Sequence, residues 1–126
     1  MTTSQSLLEF RDGNITFVIF GDELKQLDEL NVAGVGERLV EIAERAAPPL
    51  MVLDMSVTEF FGSSFIEVLF RVWKKLGTKP SPKLVLAGVQ TYCREVLSVT
   101  HLDSLWPVYE SRDAAVDALN QVAVTG

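Results

Sequence analysis

The chain is poor in the side chains that most chemistry requires. It has one cysteine, Cys93, and one histidine, His101. A lone cysteine cannot close an internal disulfide, so a reducing cytoplasm is the expected setting. No second His or Cys stands at ligand spacing, and a zinc site is not expected. Lys and Arg number 11 against 17 Asp and Glu, a net charge of −6. That balance disfavours nucleic-acid phosphates and anionic membrane surfaces, both of which call for clustered cations. No apolar run approaches the roughly 20 residues of a membrane span, so direct membrane insertion is not expected. The stretch Met1 to Ser6 is polar and lacks the pattern of a signal peptide. Gly34-x-Gly36 has no third glycine and no strand directly before it, so it makes no phosphate cradle. A Cys93–His101 pair is a weak candidate for catalysis, because Cys93 falls on the inward side of a short predicted helix, where a thiol is inert. His101 reads as a helix-end or loop residue. The acidic cluster Asp22, Glu23, Asp28 and Glu29 reads as a solvated loop. Neither an enzyme nor a cofactor is expected.

What is present is a core. At 126 residues, 48% hydrophobic and 22% charged, the chain reads as one domain, residues 1–126, able to bury a sizeable interior. Leu7 to Phe10 and Ile15 to Phe20 flank Arg11-Asp12-Gly13-Asn14, a hairpin signal. Leu24 to Leu30 reads as a turn or short helix over the sheet edge. Asn31 stands as N-cap to a helix whose stripe is Val32, Val35, Leu39, Ile42, Ala43 and Ala46, ended by Pro48-Pro49. Lys83 to Ala87 is a second buried strand, and Thr91 to Val99 a short helix. Leu105 to Tyr109 is an edge strand marked by Pro107. Ser111 caps a last helix that packs through Ala114, Ala115, Ala118, Leu119 and Val122. The order ββαβαβαβα predicts an α/β fold, a mixed sheet of about five strands with about four helices.

The organising stretch is Leu50 to Leu76. Leu50-Met51-Val52-Leu53-Asp54 reads as a buried strand, and Gly62-Ser63-Ser64 opens an amphipathic helix with Phe65, Ile66, Leu69, Val72, Trp73 and Leu76 on one face. Sheets of this kind place working residues just beyond the strand ends. Val68 and Phe70 widen the apolar arc; they either tuck under neighbouring segments or, for Phe70, face a partner. Ser64 and Glu67 have the spacing of a capping box, which puts Ser63 one residue outside the helix with its hydroxyl open. A phosphate there would meet the helix's free N–H groups and positive dipole end, and would add about −1.5 to −2 charges. The plainer alternative is that both serines only cap the helix.

These residues carry a resemblance. Leu53-Asp54, Phe60-Phe61, Ser63-Ser64 and Val68-Leu69, with the tail from Val89 to Leu97 and from Leu102 to Ser111, are similar to the STAS domain. That family includes the bacterial anti-sigma factor antagonists and the C-terminal domains of sulphate transporters. Its pattern is a strand ending in Asp, an apolar-aromatic step, then Asp-Ser-Ser/Thr-Gly at a helix head. Here Gly62 stands in place of that Asp, and Phe65 and Glu67 in place of glycines. In the antagonist branch the resemblance implies binding to an anti-sigma factor that is also a serine kinase. Phosphorylation at Ser63, with Ser64 the second candidate or cap, would break the complex, and a phosphatase would reset it. The expected partner surface comprises Asp22, Glu59, Phe61, Gly62, Phe65, Glu67, Phe70 and Arg71. The Ser-Phe-Ile run is also similar to stressosome scaffold members, which implies a homo-oligomer without a phospho-switch. A third reading is a STAS subunit docked on a transporter complex.

Overall fold

A computed structural model describes residues 7–125, and their side chains as far as Asn120. Met1 to Ser6 and the side chain of Val122 lie outside the described residues. Strands β1 (Leu7–Asp12) and β2 (Ile15–Phe20) form the expected hairpin, antiparallel from Leu7↔Phe20 to Asp12↔Ile15. Gly13 turns the chain at φ +62°, a conformation other residues adopt at a cost. Strands β3 (Gln26–Leu27) and β4 (Leu50–Asp54) follow, with helix α1 (Val32–Arg45) between them. Strand β5 (Phe60–Phe61) leads into helix α2 (Ser63–Leu76). Strand β6 (Lys83–Ala87), helix α3 (Thr91–Val99), strand β7 (Val108–Tyr109) and helix α4 (Arg112–Thr125) complete the order.

The main sheet is five-stranded, ordered β1-β2-β4-β6-β7, with β1 antiparallel and the rest parallel. This is the mixed sheet with four helices that the sequence predicts. Two layers cover it. Met51 and Leu53 of β4 and Leu84 and Leu86 of β6 point to the face packed by α1, α2 and α3. Val52, Val85 and Ala87 point to the other face, under Ala115 and Leu119 of α4. Strands buried on both faces read as continuous apolar runs, which is why β4 and β6 stand out in the sequence.

Three local expectations change and one holds. Leu24 to Leu30 is a 3₁₀ turn (Asp22–Leu24) followed by β3, which pairs in parallel with β5 as a separate two-stranded ribbon. Asn31 precedes α1 as expected but does not cap it with its side chain. Instead Asn31 Oδ1 accepts from the Asp28 N–H (3.0 Å) and Nδ2 donates to the Gln26 carbonyl (2.9 Å), so it closes the turn before the helix. The Leu105–Tyr109 strand shortens to Val108–Tyr109, because the Leu105 and Trp106 N–H groups turn back to the Leu102 carbonyl (3.0 and 2.9 Å) and Pro107 has no N–H to give the ladder. Ser111 does cap α4, its Oγ accepting the Ala114 N–H at 3.1 Å.

The polar loop after α2 has a task the sequence does not show. Lys79 Nζ donates to the carbonyls of Ala43, Glu44 and Ala46 at 3.1, 2.8 and 2.7 Å. These sit at the C-terminal end of α1, where carbonyls lack intrahelical partners and a cation is favoured. Edge strand β1 is tied to the same helix: Glu9 accepts from Arg45 at 3.0 Å and from Arg38 at 3.3 Å. The Arg45 hydrogen bond is the main influence holding the Glu9 carboxyl below its ordinary pKa, with burial opposing it.

Helices α1 and α2 touch where Gly36 faces Val68. A Cβ on Gly36 would lie 2.9 Å from Val68 Cγ2, closer than a real contact allows. Glycine here costs helix propensity of about 1 kcal/mol and permits the two helices to close. Val68 accordingly packs beneath α1 and is buried. Gly36→Ala is expected to lower stability by about 1 kcal/mol in urea unfolding, because overpacking outweighs the propensity gain. On a Val68→Ala background the same change should become neutral or stabilising. A stabilising Gly36→Ala in the otherwise natural chain would refute the close-packing assignment.

Candidate functional site

The segment between β4 and α2 is pinned almost residue by residue. Asp54, at the end of β4, is nearly buried; its Oδ1 accepts the Ser56 N–H at 3.0 Å. Its Oδ2 pairs with Arg112 Nε at 3.1 Å, which ties the strand end to the first residue of α4. The Met55 N–H extends the ladder to the Ala87 carbonyl (3.0 Å), and Gln90 Nε2 donates to the Ser56 carbonyl (2.7 Å). Buried Thr58 donates its hydroxyl to the Leu24 carbonyl at 2.9 Å. Glu59 and Phe60 N–H groups both reach the Lys25 carbonyl, at 2.7 and 3.2 Å. The loop beyond β4 is thus welded to the loops beyond β2 and β6, and it delivers the chain to α2 in one direction.

That geometry moves the helix start. Gly62, extended at φ −109° and ψ −167°, is the N-cap, and no side chain caps the helix. Ser63 is its first residue and Ser64 its second. The Ser64–Glu67 capping box therefore does not form. A cap residue must itself be extended, and β5 keeps the chain extended only as far as Gly62. The reading of the two serines as caps falls with it. Ser63 is exposed and stands over N–H groups that, by helix geometry, have no intrahelical carbonyl to bond.

Of the expected partner surface, Asp22, Glu59 and Glu67 are exposed and Gly62 is half-buried. Glu67, four residues after Ser63, lies on the same side of α2. Phe61 and Phe65 are not surface residues. Phe65 has no exposure and Phe61 1%. Strand alternation turns Phe60 outward and Phe61 inward, where Phe61 meets Phe65 with ring centroids 5.3 Å apart. Phe65 in turn meets Phe20 edge-on at 6.0 Å. Phe70 is 45% exposed and rests edge-on against Trp106. Arg71 is exposed on the flank toward α1, so the two diverge from each other and stand about two turns from Ser63.

Two residues that the sequence reading quotes only as part of the family pattern, and not as partner-surface residues, belong to this corner. Phe60 and Tyr92, 40% and 50% exposed, stack with centroids 5.6 Å apart and planes at 24°. The parity of β5 is the signal that could have found Phe60. Cys93, the next residue, is buried among core side chains as expected, and burial pushes its thiol up to about 11. His101 follows α3 in the left-handed region at φ +63° and is exposed. Among the described residues no group of three or more His, Cys, Asp or Glu is placed to hold a metal ion. No described helix is long and apolar enough to cross a membrane. Clefts beside α4, one lined by Phe10, Phe17 and Val116, open on the other face of the sheet.

A five-stranded sheet with one antiparallel edge, three helices on one face and a serine at the head of the helix after β4 define a class. The family model of the STAS domain matches residues 8–115, and the chain belongs to that family. Among solved structures it is similar to an anti-sigma-factor antagonist (STAS) domain protein from Planctomyces limnophilus. Identity there is 33%, over 90% of this chain and 97% of that one, with a TM-score of 0.83. It is also similar to the anti-sigma factor antagonist SpoIIAA in its unphosphorylated form, at 13% identity, 91% and 96% coverage and TM-score 0.74. A chain of the stressosome, a signal integration and transduction hub, matches at 19% identity, 92% and 98% coverage and TM-score 0.69. The last two likenesses concern the fold. No functionally curated protein matches the chain in sequence.

The thiol yields a direct check on the packing of this corner. With its pKa raised to about 11, Cys93 is only about one-thousandth thiolate at pH 8, and it is sealed from solvent besides. Iodoacetamide at pH 8 should leave the folded protein unmodified over the time that fully labels it in urea. Rapid labelling of the native protein would contradict the burial of α3 against the site.

Proposed function

We propose that this STAS protein is an anti-sigma factor antagonist-like regulator that works in the cytoplasm by protein–protein contact rather than by catalysis. Residues 1–126 act as one domain. In the unmodified state the corner around Ser63 docks on an anti-sigma factor that is also a serine kinase, and so releases the sigma factor. Phosphate transferred to Ser63 ends the interaction, and a phosphatase restores it. Ser64, on the second helical position, is the alternative acceptor. The contact surface comprises Asp22, Glu59, Gly62, Glu67 and the exposed side of the first turn of α2, with Phe70 and Arg71 farther along.

One observation carries this reading: an exposed serine is the first residue of α2, where the family resemblance implies the acceptor. A dianion there is tolerated by the free protein, because free N–H groups and the helix dipole favour it. The same dianion must be stripped of water when a partner closes over it, which opposes docking. Gly62 stands in place of the family's Asp, and the corner has room for the larger side chain. A Cβ at that position would meet only Phe60 Cζ at 4.0 Å, an ordinary contact.

The Ser64-Phe65-Ile66 run and the stressosome likeness favour a second reading, a scaffold that assembles with itself and ignores Ser63. The two part on one experiment. Ser63→Asp should fold as the natural chain does and reduce recovery of the anti-sigma partner at least about tenfold, equivalent to ~1.4 kcal/mol. Ser63→Ala should retain it. Equal recovery with Ser63→Asp, together with concentration-dependent assembly in size exclusion, would replace the switch with the scaffold.

A further inference from the structure

We propose that Phe60 and Tyr92 are the anchor of this docking surface, and that the partner segment they receive is apolar at its centre and basic at its edges. The proposal rests on the reading of the protein as a partner-binding regulator, and it is independent of whether Ser63 is phosphorylated.

The pair combines features that rarely coincide on a surface without purpose. Both rings are large and well exposed, and they are already stacked on each other. They come from different elements, β5 and the first turn of α3, and each is fixed from below. The Phe60 N–H is bonded to the Lys25 carbonyl, and Phe61 and Cys93, the residues that follow them, are buried. Little side-chain freedom remains to be lost when a partner covers them, and preformed aromatic anchors of this kind dominate interface energetics. The anchor is also continuous with the serine. Phe60 Cζ lies 4.0 Å from the place a Cβ on Gly62 would take, so the ring sits over the residue that caps α2.

Charge identifies the occupant. Glu59 adjoins Phe60, and Glu95 stands one helical turn from Tyr92 with Arg94 beside it; the neighbouring β2–β3 loop and the first turn of α2 add exposed Asp22, Glu23 and Glu67, against Lys25. An aromatic centre with a mainly acidic surround complements an apolar segment flanked by Lys or Arg. A second copy of the chain would bring the same carboxylates to the same place and meet like charge. A phosphate on Ser63 would lie beside the apolar centre and on the side of α2 that carries Glu67, where desolvation and like charge oppose docking.

The test uses two synthetic amphipathic helices, one of Leu and Lys and its counterpart of Leu and Glu, titrated into the isotope-labelled full chain. The Leu/Lys peptide should give saturable amide shifts centred on Phe60, Gly62, Ser63 and Tyr92, and the Leu/Glu peptide none. Phe60→Ser with Tyr92→Ser should weaken the Leu/Lys peptide at least tenfold, and Tyr92→Ser alone, on an exposed helix position, should do so in part. Leu30→Ser, at a side chain 95% exposed and outside the corner, should have no effect. Absence of saturable binding, shifts centred elsewhere, equal binding of both peptides, or affinity of the double variant within twofold of the natural chain would overturn the proposal. Broadening at the pair that grows with protein concentration alone would assign it to a second copy and overturn it too. If Ser63→Asp leaves peptide affinity unchanged while the double variant abolishes it, the anchor stands and the phospho-switch falls.

Discussion

Strand β4 is the constraint from which the remaining placements follow. It is hydrogen-bonded in parallel to β2 on one side and β6 on the other, and Met51, Val52 and Leu53 have no exposure. Its alternating residues feed two cores at once, one under three helices and one under α4. A shift of one residue in register would exchange those faces, so the register is strongly specified. Because β4 cannot slip, Asp54 emerges at a fixed point, and its two carboxylate oxygens hold the Ser56 N–H and Arg112. The corner that carries Ser63 inherits its position from that strand end.

The second determinant is how closely α2 approaches α1. Gly36 lets Val68 in, and Lys79 from the end of the α2 connection holds the last carbonyls of α1. Lys75 and Glu44 add an ion pair at 3.1 Å, both partners about half exposed and therefore of small energetic weight. Held along one flank by α1, α2 turns its other flank, with Ile66, Phe70 and Trp73, toward Trp106 and the segment after α3. The helix is thus fixed in rotation as well as direction, which decides that Ser63 and Glu67 face outward.

Much of this was legible in the residues. The apolar runs at 50–54 and 83–87, the Gly13 turn, the helical stripes and the Ser111 cap all follow from local periodicity and capping chemistry. The family resemblance carried by Asp54, Phe60-Phe61 and Ser63-Ser64 is upheld by the match over residues 8–115. What was not legible is what depends on distant partners. Two-residue strands such as β3 and β5 are too short to show a period, and only their pairing across thirty-odd residues defines them. That pairing fixes the parity of Phe60 and Phe61 and moves the cap from Ser64 to Gly62. Gly36 reads as a weak point in a helix until Val68 is seen opposite. Tyr92 is one position in the family tail until the fold stacks Phe60 on it.

STAS membership and the likeness to antagonist proteins concern the scaffold, while the proposed switch concerns one hydroxyl at the mouth of α2. Intact-mass and phosphopeptide mapping of the protein purified from its native cells tests that proposal most directly. The account predicts a population carrying a single added phosphate, localised to Ser63, that disappears on phosphatase treatment. A phosphate found only outside the Ser63–Ser64 pair, or a chain unmodified under every growth and stress condition tried, would contradict it.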